Sequence, residues 1–162
     1  MTLILRDDAG ARRAVDDPWT RLEEDAPRSD GDVIVSWARW TAGLEPGPGR
    51  VGVVVPGGVD PAEVATKLDG VALIAIEFPK FTDGRGYSLA RLLRDRYGYT
   101  GELRAVGHVL RDQLHYMARC GIDSFDLFDG KDVEDAIQAF SDFHGSYQPA
   151  ADGNMPAWKR PR

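Results

Sequence analysis

Cysteine is almost absent from this sequence: Cys120 stands alone among 162 residues. One thiol excludes an intramolecular disulfide and every Cys-rich metal or iron–sulfur pattern. Histidine is scarce as well. His108, His115 and His144 have no ligand spacing with a carboxylate, so no metal site is expected. No apolar run approaches the ~18 residues of a membrane span, and the opening MTLILRDD holds too short an apolar run for a signal peptide. The expected location is cytoplasmic, with no membrane partner. Basic charge is not in excess either. The net charge of −6 argues against nucleic acid as a general partner. No flavin, nicotinamide or haem signature is evident, so no cofactor is expected.

What is present is a regular core. Hydrophobic residues make up 43% of the chain, enough for one domain to bury a core unaided. VGVVV (Val51–Val55) and VALIAIEF (Val71–Phe78) are continuous apolar runs, the pattern of strands buried on both faces. Glu102–Val106 and Ser124–Leu127 read as two more strands. Between them lie helical patterns: Asp60-Pro61-Ala62-Glu63 opens one, Ser88–Tyr97 is a second, and Leu110, Leu114, Met117 and Ala118 mark a third. Asp132 caps a fourth, which carries Val133, Ala136, Ile137 and Phe140. Strand and helix alternating four times imply an α/β fold with a mostly parallel sheet. It is either half of a TIM-type barrel or an open flavodoxin-like sheet. Residues 1–15 read as an N-terminal β-hairpin, too small to stand alone and so expected to extend the sheet or cross to a second subunit. Residues 16–50 form an irregular or helical arm with a short strand at Asp32–Ser36, closed by the linker Glu45-Pro-Gly-Pro-Gly. The core spans 51–144, and 145–162 read as a flexible tail.

Ligands in parallel α/β folds bind beyond the carboxyl ends of the strands. Four loops qualify: Pro56-Gly57-Gly58, Glu77 through Ser88, Gly107-His108-Val109 and Phe128-Asp129-Gly130. The second, EFPKFTDGRGYS, is long and rich in functional groups. Gly84 and Gly86 are expected to reach positive φ and let the backbone approach a ligand. Lys80 and Arg85 would add charge beside a helix N-terminus, which suits a small oxyanion. Gly-Arg-Gly lacks the third glycine of a dinucleotide fingerprint, and the loop is no Walker A motif. The alternative is a glycine turn with Ser88 as an ordinary N-cap. Glu77 closes a buried strand, either as a catalytic base or paired with Lys80. His108 faces the same rim as an acid/base or a hydrogen-bonding residue. Asp112 is a third acid/base candidate, or an N-cap. Cys120, at a helix C-terminus where the dipole raises a thiol pKa, reads as a packed small residue. Charge is uneven: Phe78–Arg111 carries +4 and the rest −10.

The stretch from Phe78 to Leu127, with its blocks FTDGRGYS, GELRAVG, LRDQL and RCG, resembles a bacterial family of unknown function. Its members are often labelled as oxidoreductases of sulfite reduction, and their genes commonly neighbour assimilatory sulfite reductase. The resemblance covers about Val51–Phe143 and implies a role in sulfur assimilation. Motif residues at matching positions are Lys80, Phe81, Asp83, Gly84, Arg85, Gly86, Ser88, Arg104, Gly107, Asp112, Gln113, Arg119 and Cys120. The family usually carries an acidic residue where this chain has His108, which lowers the expectation of catalysis there. The residues expected to bind ligand are Lys80, Asp83, Gly84, Arg85, Gly86, Ser88, Arg104 and His108.

Three functions remain open from sequence. One is an accessory protein of sulfite reduction that binds a small oxyanion or sulfite reductase. Another is a small enzyme for an anionic metabolite, using Glu77, Lys80 or Asp112. The third is a homodimeric interaction domain in which Trp19, Trp37 and Trp40 cover the interface.

Overall fold

Apolar β-branched runs become neighbouring strands of one sheet in the computed structural model of the chain. It describes residues 3–7, 10–14, 16–44, 47–68, 70–128, 131–143, 147–151 and 156–159. The hairpin turn at 8–9, Glu45-Pro46 of the linker, Asp129-Gly130 of the fourth loop and His144 lie outside the described residues.

The elements are β1 (Leu3–Asp7), β2 (Gly10–Arg13), β3 (Thr20–Arg21), β4 (Val33–Ser36) and α1 (Trp37–Gly43). Then follow β5 (Val51–Pro56), α2 (Pro61–Lys67), β6 (Leu73–Phe78), α3 (Arg85–Asp95), β7 (Glu102–Gly107), α4 (Arg111–Arg119), β8 (Ser124–Asp126) and α5 (Val133–Gln138). The sheet order is β2-β1-β8-β7-β6-β5-β4-β3. From β3 to β8 the strands lie side by side in chain order, all parallel. A flavodoxin-like sheet reverses its strand order part-way. This one does not, so it is a curled half-barrel. The hairpin β1–β2 extends it, β1 running antiparallel to β8 through Ile4 opposite Phe125. The arm contributes more than a strand entry: both β3 and β4 join the parallel array. No described helix is long and apolar enough to cross a membrane.

Crossovers that all step in one direction place all the helices on one face. The side-chain alternation agrees. Ile74, Ile76 and Phe78 of β6 join Leu89, Leu93, Leu114, Met117 and Val133 in the main core on the helical, convex face. Leu73 and Ala75, the alternate residues, face the concave side with Trp19, Ile34, Val54 and Val106. Asp60 caps α2 by accepting from the Ala62 N–H at 2.9 Å, and Asp132 caps α5 through the Glu134 N–H. Residues 147–151 return to the end of α4, where the Ala151 N–H donates to the Arg119 carbonyl at 3.0 Å.

The tryptophans do not form one patch. Trp19 is buried on the concave face. Trp37 and Trp40 pack on the convex side, and Trp40 Nε1 donates to the Lys67 carbonyl at 3.0 Å.

Candidate functional site

At the carboxyl ends of β5, β6 and β7 the rim is built around the loop Pro79–Gly84. Helix α3 starts at Arg85, three residues before the expected Ser88. The cause lies outside the helix. The Asp83 carboxylate accepts from the Arg85 N–H at 3.2 Å and supplies the missing cap, because Gly84 at the N-cap has no side chain to do so. Ser88 is therefore an exposed residue of the first helical turns and not a cap.

The glycines are also used differently from expectation. Gly84 sits at φ −87°, and Gly86 is not in the left-handed region. Gly86 is there for space: a Cβ on it would lie 2.7 Å from Phe78 Cζ and 3.0 Å from Ile76 Cγ2. It lets α3 press onto β6. Among the described rim glycines, the one with positive φ is Gly107, at 92°.

Asp83 and Arg85 form a closed pair. Arg85 Nη2 donates to Asp83 Oδ2 at 2.6 Å and Nε to Oδ1 at 2.9 Å. These bonds from Arg85 hold the Asp83 carboxyl at a pKa of about 2, well under its ordinary 3.8. Arg85 Nη1 lies over Gly58, whose Cβ, if present, would sit 2.5 Å from it. Lys80 stands exposed on the same loop with no ion pair among the described residues.

The remaining candidates are dispersed. Glu77 is half-buried near the end of β6, opposite Val106 and Pro56, on the concave side with Leu73 and Ala75. No ion pair joins it to Lys80. Asp112 is exposed in the first turn of α4 and is not its N-cap. That position is Leu110, whose N–H donates to Gln113 Oε1 at 3.0 Å. Gln113 is buried and ties the start of α4 to the rim loop. The ring of His108 packs at a tilt against the exposed Phe128 at 4.6 Å, with its Nδ1 buried and without a hydrogen-bond partner among the described residues. Cys120 is buried at the C-cap of α4. Among the described residues, no three His, Cys, Asp or Glu side chains stand close enough to hold a metal ion.

Arg104 is not at the rim. It lies mid-strand in β7 on the concave face, its side chain 6% exposed. Nη1 donates to Asp17 Oδ2 at 2.6 Å and Nη2 to Asp17 Oδ1 at 3.1 Å. Nε and Nη2 donate to Glu102 Oε1 at 3.0 and 2.9 Å, and that oxygen also accepts from Ser124 Oγ. Burial by itself would lower the Arg104 pKa, but Asp17 and Glu102 outweigh it and raise the value.

The model of a bacterial protein family of unknown function, DUF934, matches residues 52–158. The chain belongs to this family. No curated protein and no solved structure matches it. The DUF934 match takes in every rim loop and Arg104, whereas Asp17, Trp19, β3 and β4 precede it. Sequence reasoning missed Asp17 because its partner is 87 positions away. It missed Phe128 as the ring over His108 for a similar reason: stacking across two loops leaves no local pattern.

Most of the basic excess of 78–111 is neutralised internally. Arg91 pairs with Asp95, Arg94 with Asp123, and Arg111 with Asp135 and Asp142. With Arg85 on Asp83 and Arg104 on Asp17, Lys80 and Arg96 are left without an ion pair among the described residues.

Proposed function

We propose that this DUF934 chain is an accessory protein of assimilatory sulfite reduction that acts by binding and not by turnover. Its ligand is a small oxyanion or sulfite reductase itself, and its contact surface is the rim carrying Lys80, Phe81 and Arg85. One observation carries the reading. The rim presents two exposed cations and a half-exposed ring, Phe81, while of the acid/base candidates only Lys80 stands on the rim loop: Glu77 is on the concave side and Asp112 on the first turn of α4. Proton transfer needs groups within hydrogen-bond reach of one reacting atom, and binding does not. The link to sulfite reduction rests on the resemblance carried by FTDGRGYS, GELRAVG and LRDQL.

Lys80 is the first contact for an anion or an acidic protein surface, since its charge has no competing partner among the described residues. Arg85 adds the outer edge of its guanidinium, Nη1, because Asp83 holds the other edge. Reversing both charges, Lys80→Glu with Arg85→Glu, is expected to abolish co-elution with sulfite reductase in gel filtration while leaving the circular dichroism spectrum unchanged. Undiminished co-elution of the reversed variant, or turnover of sulfite by the purified chain alone, would reject the reading.

A further inference from the structure

Arg104 is the one charged side chain among the described residues that is more than nine-tenths buried. A buried charge is costly, and an apolar cluster in place of the whole Arg104–Asp17–Glu102 group would serve stability as well or better. Its guanidinium has five N–H groups and makes four bonds, two to Asp17 and two to Glu102. One N–H of Nη1 is left over. Arg104 also lines a cavity of about 110 Å³, walled with it by Asp17, Trp19, Arg21 and Asp126 over an apolar floor that includes Val54. Three to four waters would fill it, which is also the space of an oxyanion of four or five heavy atoms.

The two carboxylates on Arg104 are held very differently. Glu102 belongs to β7 and is fixed by Ser124. Asp17 sits on the irregular stretch before β3, itself two residues long, and its one further bond among the described residues is a long one, Oδ1 accepting from the Trp19 N–H at 3.4 Å, so its side chain can leave without breaking a strand ladder. A carboxylate on a guanidinium fork presents two oxygens in the geometry that an inorganic oxyanion also offers. Arg21 lines the same cavity and makes no ion pair among the described residues. It offsets Asp126, the carboxylate on the wall that opposes an incoming anion.

We propose that this concave cavity is a second oxyanion site, closed by Asp17 acting as an internal pseudo-ligand. A doubly charged inorganic oxyanion replaces the Asp17 carboxylate on the Arg104 fork and is held from the other side by Arg21. The site is independent of the rim, and its occupation releases the stretch that carries Asp17 and Trp19.

The test uses the full chain with the rim silenced by Lys80→Ala and Arg85→Ala, so failure of the rim reading does not touch it. Sulfate, sulfite and phosphate are titrated calorimetrically against chloride at matched ionic strength. Adding Asp17→Asn removes the competing charge and is expected to tighten oxyanion binding by about tenfold or more, and adding Arg104→Met to abolish it. Equal affinity with and without Asp17→Asn, no binding in either, or binding that survives Arg104→Met would overturn the proposal. Should Arg104→Met fail to fold, thermal unfolding decides: sulfate must raise the Tm of the Asp17→Asn protein more than that of its parent, and equal rises refute the site.

Discussion

Two aspartate–arginine pairs carry the same chemistry in opposite settings. Asp83 and Arg85 are two residues apart on an exposed loop, with the arginine side chain 68% exposed. Asp17 and Arg104 are 87 residues apart, with the arginine side chain 6% exposed. Water and salt screen the first pair, whose work is local: it caps α3 and sets the shape of the rim. The second is shielded, so each partner depends on the other, and it joins a segment outside the DUF934 match to the central strand β7. The same two residue types thus shape a surface in one place and tie distant chain segments together in the other.

The largest expected effect tests that dependence. Arg104→Met should leave Asp17 and Glu102 as half-buried carboxylates without their counter-charge and lower stability by about 3 kcal/mol, the lower end of the range for breaking a buried pair, since both carboxylates keep some solvent access. Urea unfolding measures it. A loss under about 1 kcal/mol, the ceiling for exposed pairs, would erase the distinction between the two pairs.

Next in size is Gly86→Ala. The added methyl meets the buried Phe78 ring and Ile76, neither of which has room to yield. Overpacking of this kind costs about 1–3 kcal/mol. Gly84→Ala is the control, because its methyl would find only Tyr87 Cδ2 at 3.7 Å and its φ is ordinary. Its effect should stay within about 0.5 kcal/mol. Similar Tm values for the two variants would show that α3 does not press on β6 through Gly86.

The smallest effect is on titration. Asp83 has a folded pKa below its unfolded value, so its contribution to stability is complete above pH 3.8 and disappears as pH falls through about 2. Carboxyl-detected NMR should find Asp83 titrating near 2 in the wild type and higher in Arg85→Ala, which loses both guanidinium bonds and keeps only the backbone N–H bond. Ordinary titration in the wild type would mean that the rim pair does not form, leaving Arg85 open to ligands on both edges.

Much of the frame was legible in the sequence, for local reasons. The runs in β5 and β6 are apolar at consecutive positions because both faces of those strands are covered. Asp60-Pro61 and Asp132 mark helix starts because their own side chains do the capping. The start of α3 was misplaced because its cap, Asp83, stands outside the helix and the N-cap itself is glycine. Thr20–Arg21 is a strand only by virtue of pairing with Val33 and Ile34, and two polar residues carry no periodicity. The rim loops were legible because each directly follows the carboxyl end of an apolar strand run. Arg104 was grouped with them through the block GELRAVG, but it lies inside β7 and not at its carboxyl end, which keeps it off the rim.

Sulfite titrated calorimetrically into the wild type and into Lys80→Ala with Arg85→Ala tests the role of the rim most directly. Loss of both cations should weaken the rim component by at least about tenfold, with the fold intact by circular dichroism and the Arg104-dependent component unchanged. Equal sulfite affinity in the two proteins would contradict the account, since Lys80 and Arg85 would then have no part in binding.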